Sequence, residues 1–298
     1  MVQTFSHSLI SDFKMAFNKI KEYINTDVGA AGTLLIPQLI LPMLVEEVDK
    51  NLLDRSLAKW VLGPGQLVGQ GGTFNVNLET PDSTKIREVG EGAEVPLDSL
   101  EYSTITYTFT KYGMAVRITR EMMEDSQFEL LQSNIRSAGK RLAENETRLV
   151  LEALEGANTT VTGGAAITIS DVTTAMLNVE AQDFTPTDLI VGTDVLNDLR
   201  NIDTFAEADK WGDSTNAART GRVGMVYGLS VHLFSNQVGT STTAYVIDRR
   251  EAYGIAIKRD ITVENCTLPS FDMEGAVITQ RMDVQLLRSR AVGRITTT

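Results

Sequence analysis

Two stretches in the first third of the chain alternate apolar and polar residues with a period of two, as extended strands do. The apolar side chains that share one face are Phe74, Val76 and Leu78 in the first stretch and Ile105, Tyr107 and Phe109 in the second. A Thr-Pro-Asp-Ser turn at residues 80–83 follows the first stretch. The pattern predicts a long two-stranded ribbon with few apolar residues. Because such a ribbon is marginally stable alone, we expect it to lie against another surface, most simply a second copy of the chain.

A long amphipathic helix is predicted directly after the ribbon. Residues 126–129, Ser-Gln-Phe-Glu, have the form of a capping box, in which serine and glutamate bond each other's free backbone amides. Apolar residues then recur mostly at steps of three and four, at Phe128, Leu131, Ile135, Ala138, Leu142 and Leu149. This spacing predicts one buried face of a helix of about seven turns that ends near residues 155–156.

The remaining elements follow from shorter patterns. Residues 1–33 form an arm that is either a solvent-capped first helix or a segment that docks on a neighbour. A helix is predicted at 39–51, and residues 158–168 are read as a loop at a domain boundary. Further helices are predicted at 171–182 and 194–202. Further strands are predicted at 187–191, 221–234, 243–247, 253–258, 261–265, 275–281 and 284–296, and Gly224 and Gly228 interrupt the strand at 221–234.

Composition limits the classes of protein to which the chain can belong. The 298 residues, 42% of them hydrophobic and 22% charged, are typical of a soluble globular protein. The net charge of −12 argues against sequence-specific reading of nucleic acid, which needs a basic surface, but it is compatible with enclosing nucleic acid. The single cysteine, Cys266, is predicted to be a free thiol. No apolar run is long enough to span a bilayer, so no membrane association is expected.

The sequence lacks the patterns of an active site. Its two histidines, His7 and His232, and its one cysteine are too far apart in sequence to suggest a zinc site. The glycines of residues 63–72 lack a following Gly-Lys-Ser/Thr and precede a strand pattern, so they are read as hinge and turn residues. Glu91 and Glu94 form a carboxylate pair, but their glycine-rich loop favours a solvated or partner-facing position. We predict no catalytic residue, no cofactor and no metal site, and therefore no enzyme.

Several motifs, taken in order, resemble one known family. They are Glu-Gly-Ala-Glu-Val-Pro at 91–96, the strand at 107–118, the segment 119–126 before the long helix, Pro-Thr-Asp-Leu-Ile-Val at 186–191, the segment 224–231, and Tyr-Gly-Ile-Ala-Ile at 253–257. On their order and spacing the chain resembles the major capsid proteins of tailed bacteriophages, which have the Hong Kong 97-like fold. The resemblance implies an α+β fold with six segments: an arm at 1–33, a peripheral domain at 34–61, 106–169 (with a spine helix) and 252–298, an extended hairpin loop at 62–105, and an axial domain at 170–251.

The resemblance also implies a function and partners. It implies a major capsid protein that self-assembles as hexamers and pentamers into an icosahedral head shell around viral double-stranded DNA, without sequence-specific binding. It implies scaffolding and portal proteins as partners, with decoration proteins as a further option. The protein would be assembled in the host cytoplasm and located in the virion. Two alternatives stay open from sequence: an encapsulin-type compartment shell, and a soluble α+β enzyme.

The charges of the loop suggest where it binds. Residues 62–105 carry a local net charge of −5, whereas the carboxyl-terminal segment is basic. If residues 284–296 form one extended strand, Arg288, Arg290 and Arg294 share a face. The resemblance implies that the loop of one subunit overlies the peripheral domain of the next. We therefore hypothesise that Glu91 and Glu94 guide the loop onto these arginines of a neighbouring subunit.

Overall fold

The computed structural model describes most of the chain beyond the amino-terminal segment. The described residues are 44, 45, 48, 54–67, 71–79, 88–92, 94, 101–119, 129–202, 225–234, 238–271 and 273–297. The chain divides into two compact units. The first comprises Met1–Glu47, Gly113–Gly139 and Ile261–Thr279, and the second comprises Val48–Tyr112, Lys140–Asp260 and Gln280–Thr298. The predicted arm lies outside the described residues, as does the predicted capping box apart from Glu129.

The described residues contain both helices and strands, as expected for an α+β fold. In chain order they are α1 (Asp54–Leu57), β1 (Trp60–Leu62), β2 (Thr73–Glu79), β3 (Tyr102–Thr108), β4 (Thr110–Thr119), α2 (Glu129–Leu154), β5 (Thr159–Thr162), α3 (Ile169–Glu180), β6 (Asp188–Val191), α4 (Thr193–Asn201), β7 (Met225–Val226), β8 (Leu229–Leu233), β9 (Thr243–Ile247), β10 (Tyr253–Leu268), β11 (Met273–Leu286) and β12 (Val292–Thr296). Short 3-10 helices occupy Pro64–Leu67, Pro269–Phe271 and Ser289–Ala291.

A six-stranded mixed sheet forms the centre of the second unit. Its strand order is β5-β12-β9-β6-β8-β7. β6 pairs parallel with β8 and antiparallel with β9, while β12 joins β9 antiparallel and β5 parallel. Every residue of β6 and β9 is buried. Both strands are therefore covered on their two faces, which explains why they read as continuous apolar runs rather than as alternating patterns.

Two apolar clusters cover the two faces of this sheet. On one face, side chains of α3 and α4, such as Val179 and Leu199, pack against Leu189 and Val246 of the sheet. On the other face, Leu154 of α2 belongs to a second cluster with residues of β9, β10 and β11. The second unit is therefore layered, with helices on both sides of the sheet, as a sheet with two apolar faces requires.

A four-stranded sheet has the order β1-β10-β11-β4. Within the first unit, Gly275 of β11 lies so close to β4 that an added Cβ would be 2.1 Å from the main-chain oxygen of Val116. Thr262 of β10 bonds Thr279 of β11 through its hydroxyl, at 3.1 Å from the main-chain oxygen. A separate two-stranded sheet, β2-β3, is the predicted ribbon.

The strongest periodic patterns are confirmed by the structure. The long helix is 26 residues long, which corresponds to the predicted seven turns. The ribbon is present, and strand 243–247 has the predicted bounds. The helices predicted at 171–182 and 194–202 begin and end within two residues of the observed bounds. Ser170, the residue before the predicted start, is expected to cap the first of these helices, but Thr168 caps α3 instead and forms a capping box with Asp171.

Three element predictions are wrong. Residues 158–168 are not only a loop, because Thr159–Thr162 form the edge strand β5. The two strands predicted at 253–258 and 261–265 are one continuous strand, β10. The strand predicted at 284–296 is broken, because β11 ends at Leu286 and β12 begins at Val292. The predicted division into peripheral and axial domains stays a prediction. β5 and β12, which are predicted to lie in the peripheral domain, pair in the same sheet as β6, β8 and β9, which are predicted to lie in the axial domain.

Candidate inter-subunit surface

The ribbon is a regular antiparallel hairpin whose two sides differ in burial. β2 and β3 pair in full register, with Phe74 opposite Tyr107 and Val76 opposite Ile105. These four side chains point to the buried side, whereas the alternate residues of both strands are exposed. The rings of Phe74 and Tyr107 lie 6.4 Å apart between centroids. The predicted alternation is therefore confirmed.

The base of the ribbon packs on the chain's own core. The buried cluster at this place consists of Leu67, Tyr107, Phe109 and Ala256, with Leu62, Phe74, Val76 and Ile105 packed against it. The expectation that the ribbon lies against a second copy of the chain is therefore wrong for its base. A contact between the outer part of the ribbon and a second copy stays a prediction.

Tyr107 fixes the base of the ribbon to β1. Its side chain is fully buried, and Trp60 Nε1 donates a hydrogen bond of 3.2 Å to its hydroxyl oxygen. The pKa of Tyr107 is raised to about 12, mainly because the side chain is buried; the bond from Trp60 opposes the rise, and the charge of the nearby Asp283 adds a smaller part of it. Gly254 leaves room for both rings, because an added Cβ would lie 2.5 Å from Trp60 Nε1 and 2.6 Å from the Tyr107 oxygen.

We expect Tyr107→Phe to change the alkaline stability profile. The unfolded chain ionises this tyrosine near pH 10 and the folded chain near pH 12, so the free energy of unfolding falls between these values by about 2–3 kcal/mol. Tyr107→Phe should remove that part of the fall while losing about 1 kcal/mol at neutral pH with the Trp60 bond. Urea unfolding from pH 8 to 12 measures both. Tyr102→Phe, at an exposed tyrosine of the same strand, is the control, and identical profiles for Tyr107→Phe and the parent protein would contradict the prediction.

The three carboxyl-terminal arginines do not share one strand. Arg288 and Arg290 lie in the 3-10 turn region between β11 and β12, and only Arg294 is inside a strand. The argument that alternation places all three on one face is therefore wrong. The physical reason is that the chain leaves the four-stranded sheet after β11 and joins the six-stranded sheet at β12.

Each of these arginines has a different environment. Arg288 Nε lies 2.9 Å from Glu251 Oε2, close enough for an ion pair but not aligned for a hydrogen bond. Arg290 is exposed, and its side chain has no bonded partner among the described residues. Arg294 lies opposite Tyr245 on β9. Burial raises the pKa of Tyr245, and the positive charge of Arg294 opposes that rise.

Glu91 and Glu94 are both exposed, beside a turn in which Gly92 has a φ of 80°. Within the described part of the chain, neither glutamate forms an ion pair with Arg288, Arg290 or Arg294. The single chain therefore does not bring the five predicted contact residues together. Their contact across subunits stays a prediction.

A cleft of about 410 Å³ lies beside Arg288 and Arg290. Its lining also includes Arg250, which is exposed, and Phe184. Asp248 in the same lining accepts bonds from the backbone amides of Thr185 at 3.1 Å and Arg250 at 2.9 Å, so its charge is partly satisfied. Sequence reasoning missed Arg250, because residues 248–251 look like an ordinary turn of mixed charge.

A buried carboxylate elsewhere in the second unit was also missed. The Asp188 side chain is only 2% exposed and accepts bonds from His232 Nε2 at 2.9 Å, Arg249 at 2.8 Å and the Thr187 hydroxyl at 2.7 Å. His232 is thus an ordinary hydrogen-bonded side chain. Asp188 and His232 are not adjacent in sequence, and only the parallel pairing of β6 with β8 brings them together.

No metal-binding cluster occurs among the described residues, since no three His, Cys, Asp or Glu side chains are suitably placed. In the same part of the chain, no helix is both long and apolar enough to cross a membrane. Cys266 is a free thiol, as predicted.

The fold is shared with phage capsid proteins of known structure. The mature capsid of bacteriophage PhiM1 aligns with a TM-score of 0.63 at 12% identity over 83% of this chain and 87% of that one. A protein of Mycobacterium phage Che8 aligns with a TM-score of 0.63 at 14% identity, over 78% and 86% of the two chains. The capsid of a native GTA particle aligns with a TM-score of 0.62 at 14% identity, over 82% and 89%. These similarities show the Hong Kong 97-like fold.

The family follows from the sequence itself. A family model described as phage capsid protein matches residues 101–295, whereas no curated protein matches the sequence. The chain therefore belongs to the phage capsid protein family and is a major capsid protein, as the resemblance implied. This family and fold are those of a structural protein, located in the virion capsid.

Proposed function

We propose that this chain assembles as hexamers and pentamers into an icosahedral head shell that encloses double-stranded DNA. The match of residues 101–295 to the phage capsid protein family carries the proposal. The net charge of −12 supports a wall that encloses DNA without sequence-specific binding. Scaffolding and portal proteins are the expected partners, decoration proteins are a further option, the host cytoplasm is the expected place of assembly, and the chain itself has no catalytic activity.

Electron microscopy of the purified protein tests this proposal directly. We expect closed shells of uniform diameter, formed by the chain alone or on co-expression with its neighbouring structural genes. Sedimentation at increasing protein concentration should show the monomer converting to large particles. A protein that remains a monomer under all of these conditions would contradict the proposal.

We propose that the loop tip binds the arginine surface of a neighbouring subunit. Glu91 and Glu94 on one subunit would meet Arg290, Arg288 and Arg294 on the next. Exposure of both glutamates and of Arg290 supports this pairing. Arg250 is a third arginine in the lining of the cleft, which also includes Asp183, Asp248 and Glu251. An exposed ion pair contributes only about 0–1 kcal/mol, but the contact would be repeated in every subunit of a shell.

Charge reversal separates this contact from general electrostatics. We expect Glu91→Arg/Glu94→Arg to slow shell formation about tenfold, and more at low salt because screening is weaker there. Light scattering during assembly measures the rate. Glu180→Arg/Glu264→Arg changes the net charge equally at two other exposed glutamates and is the control. Equal assembly rates for the two double variants across salt concentrations would rule the contact out.

A further inference from the structure

Four side chains bond to backbone groups of the ribbon or of the residues at its ends. One is in β10, two are in β11 and the fourth, Arg288, follows β11. Lys258 donates to the main-chain oxygen of Gly71, Arg281 to that of Phe109 at 3.2 Å, and Arg288 to that of Glu79 at 3.0 Å. Asp283 accepts from the backbone amide of Thr108 at 2.7 Å. Bonds to the main chain hold the position of the ribbon whatever side chains it carries.

The four bonds are unevenly distributed along the ribbon. Gly71, Thr108 and Phe109 are at its base, where Tyr107 also packs into the core. Glu79 is the last residue of β2, six residues from Thr73 and therefore about 20 Å from the base. At that outer end, Leu78 is the only buried residue of β2, and Arg288 supplies the one bond described to a side chain outside the ribbon.

The surroundings of Arg288 hold its guanidinium in place. Its Nε lies 2.9 Å from Glu251 Oε2, and Glu251 is bound in turn by Lys59 Nζ at 2.8 Å. The ring of Phe184 lies 6.0 Å from Arg288 Cζ. A side chain held on two sides loses little conformational entropy when it bonds a third group, so Arg288 is preorganised to receive the Glu79 oxygen.

We propose that Arg288 is a latch that holds the outer end of the ribbon against its own subunit. The base is fixed by three bonds and an apolar cluster, so breaking the Arg288 bond releases the outer end without unfolding the base. While the latch is closed, Arg288 is occupied within its own chain. When the latch opens, both the ribbon and Arg288 are free to contact another subunit. This consequence rests on the proposed function, but the latch itself does not.

Distance measurements between spin labels test the latch on the unassembled subunit, under conditions in which electron microscopy shows no shells. Labels are placed at Asn77→Cys and Glu180→Cys, both exposed, in a Cys266→Ser background. We expect one narrow distance distribution for the parent. We expect a second, broader population in Arg288→Met, with the released fraction raised about tenfold, as loss of a charge-assisted bond implies.

Two further variants make the result decisive. Arg290→Met removes an exposed arginine of the same turn that does not bond the ribbon, and should leave the distribution unchanged. Arg288→Lys keeps the charge but lacks the planar guanidinium, so it should release the ribbon in part. It replaces Arg288→Met if that variant does not fold. Distributions for Arg288→Met or Arg288→Lys that equal the parent's, or a release of the same size in Arg290→Met, would overturn the latch. Shell formation is scored separately by microscopy, so failure of the proposed function would not be mistaken for failure of the latch.

Discussion

Gly192→Ala is expected to prevent the second unit from folding stably. A Cβ at this position would lie 2.3 Å from the main-chain oxygen of Ser241 and 2.8 Å from its Cα. Both atoms belong to backbone that leads into β9, a strand buried over its whole length. The clash cannot be relieved by rotating a side chain, so strand β9 or the start of α4 must move. We expect a loss of at least about 3 kcal/mol in the free energy of unfolding.

The same substitution at another glycine is the control for Gly192→Ala. Gly164 has no heavy atom within 4 Å of an added Cβ and no left-handed backbone angle. Gly164→Ala should therefore change the free energy of unfolding by less than about 1 kcal/mol. Soluble yield and urea unfolding of both variants measure the difference. Similar stability for the two variants would contradict the prediction, because it would show that the backbone at Ser241 can move away from the added Cβ at little cost in free energy.

Arg55→Met is expected to cost about 3 kcal/mol in the free energy of unfolding. Arg55 donates two bonds to the carboxylate of Glu146, from Nε at 2.8 Å and from Nη2 at 3.0 Å. The Glu146 side chain is only 1% exposed, whereas that of Arg55 is 28% exposed. Removing the arginine leaves a buried carboxylate without this partner, which costs about 3–5 kcal/mol. The partial exposure of Arg55 places the expected loss at the lower end of that range.

An exposed pair on the same helix provides the comparison for Arg55→Met. Lys140 lies 3.8 Å from Glu144, and its side chain is 62% exposed. Lys140→Met should cost no more than about 1 kcal/mol. Because Arg55 makes further contacts, both the single variant Glu146→Gln and the double variant Arg55→Met/Glu146→Gln are needed to isolate the coupling between the two side chains. A coupling energy near zero would show that the loss comes from those other contacts.

Periodicity in the sequence was sufficient for the elements whose pattern is local. The alternation of Phe74, Val76 and Leu78 predicted β2, and the spacing of Ala138, Leu142 and Leu149 predicted α2. In both cases the apolar residues that share a face are buried or half-buried, so the pattern records the burial directly. The order of such elements also carried the resemblance to the capsid family, which the family match at residues 101–295 confirms.

Pairings between distant segments were not predictable in the same way. β5 is a four-residue strand whose partner, β12, is more than a hundred residues away, and its Thr-rich sequence looks like a loop when read locally. The break between Leu286 and Val292 contains neither glycine nor proline. It arises because the two strands belong to different sheets.

The sequence by itself determined the ribbon, the long helix, the absence of recognisable catalytic motifs and the family, because each depends on local spacing or on the order of short motifs. Only the tertiary structure shows which charged side chains bond to partners within the same chain. Arg288 binds Glu251 and the Glu79 oxygen, and Asp188 is buried between His232 and Arg249. The sequence shows which side chains are charged but not which of them are neighbours. Two charged side chains bond only when the pairing of strands brings them within about 3 Å of each other.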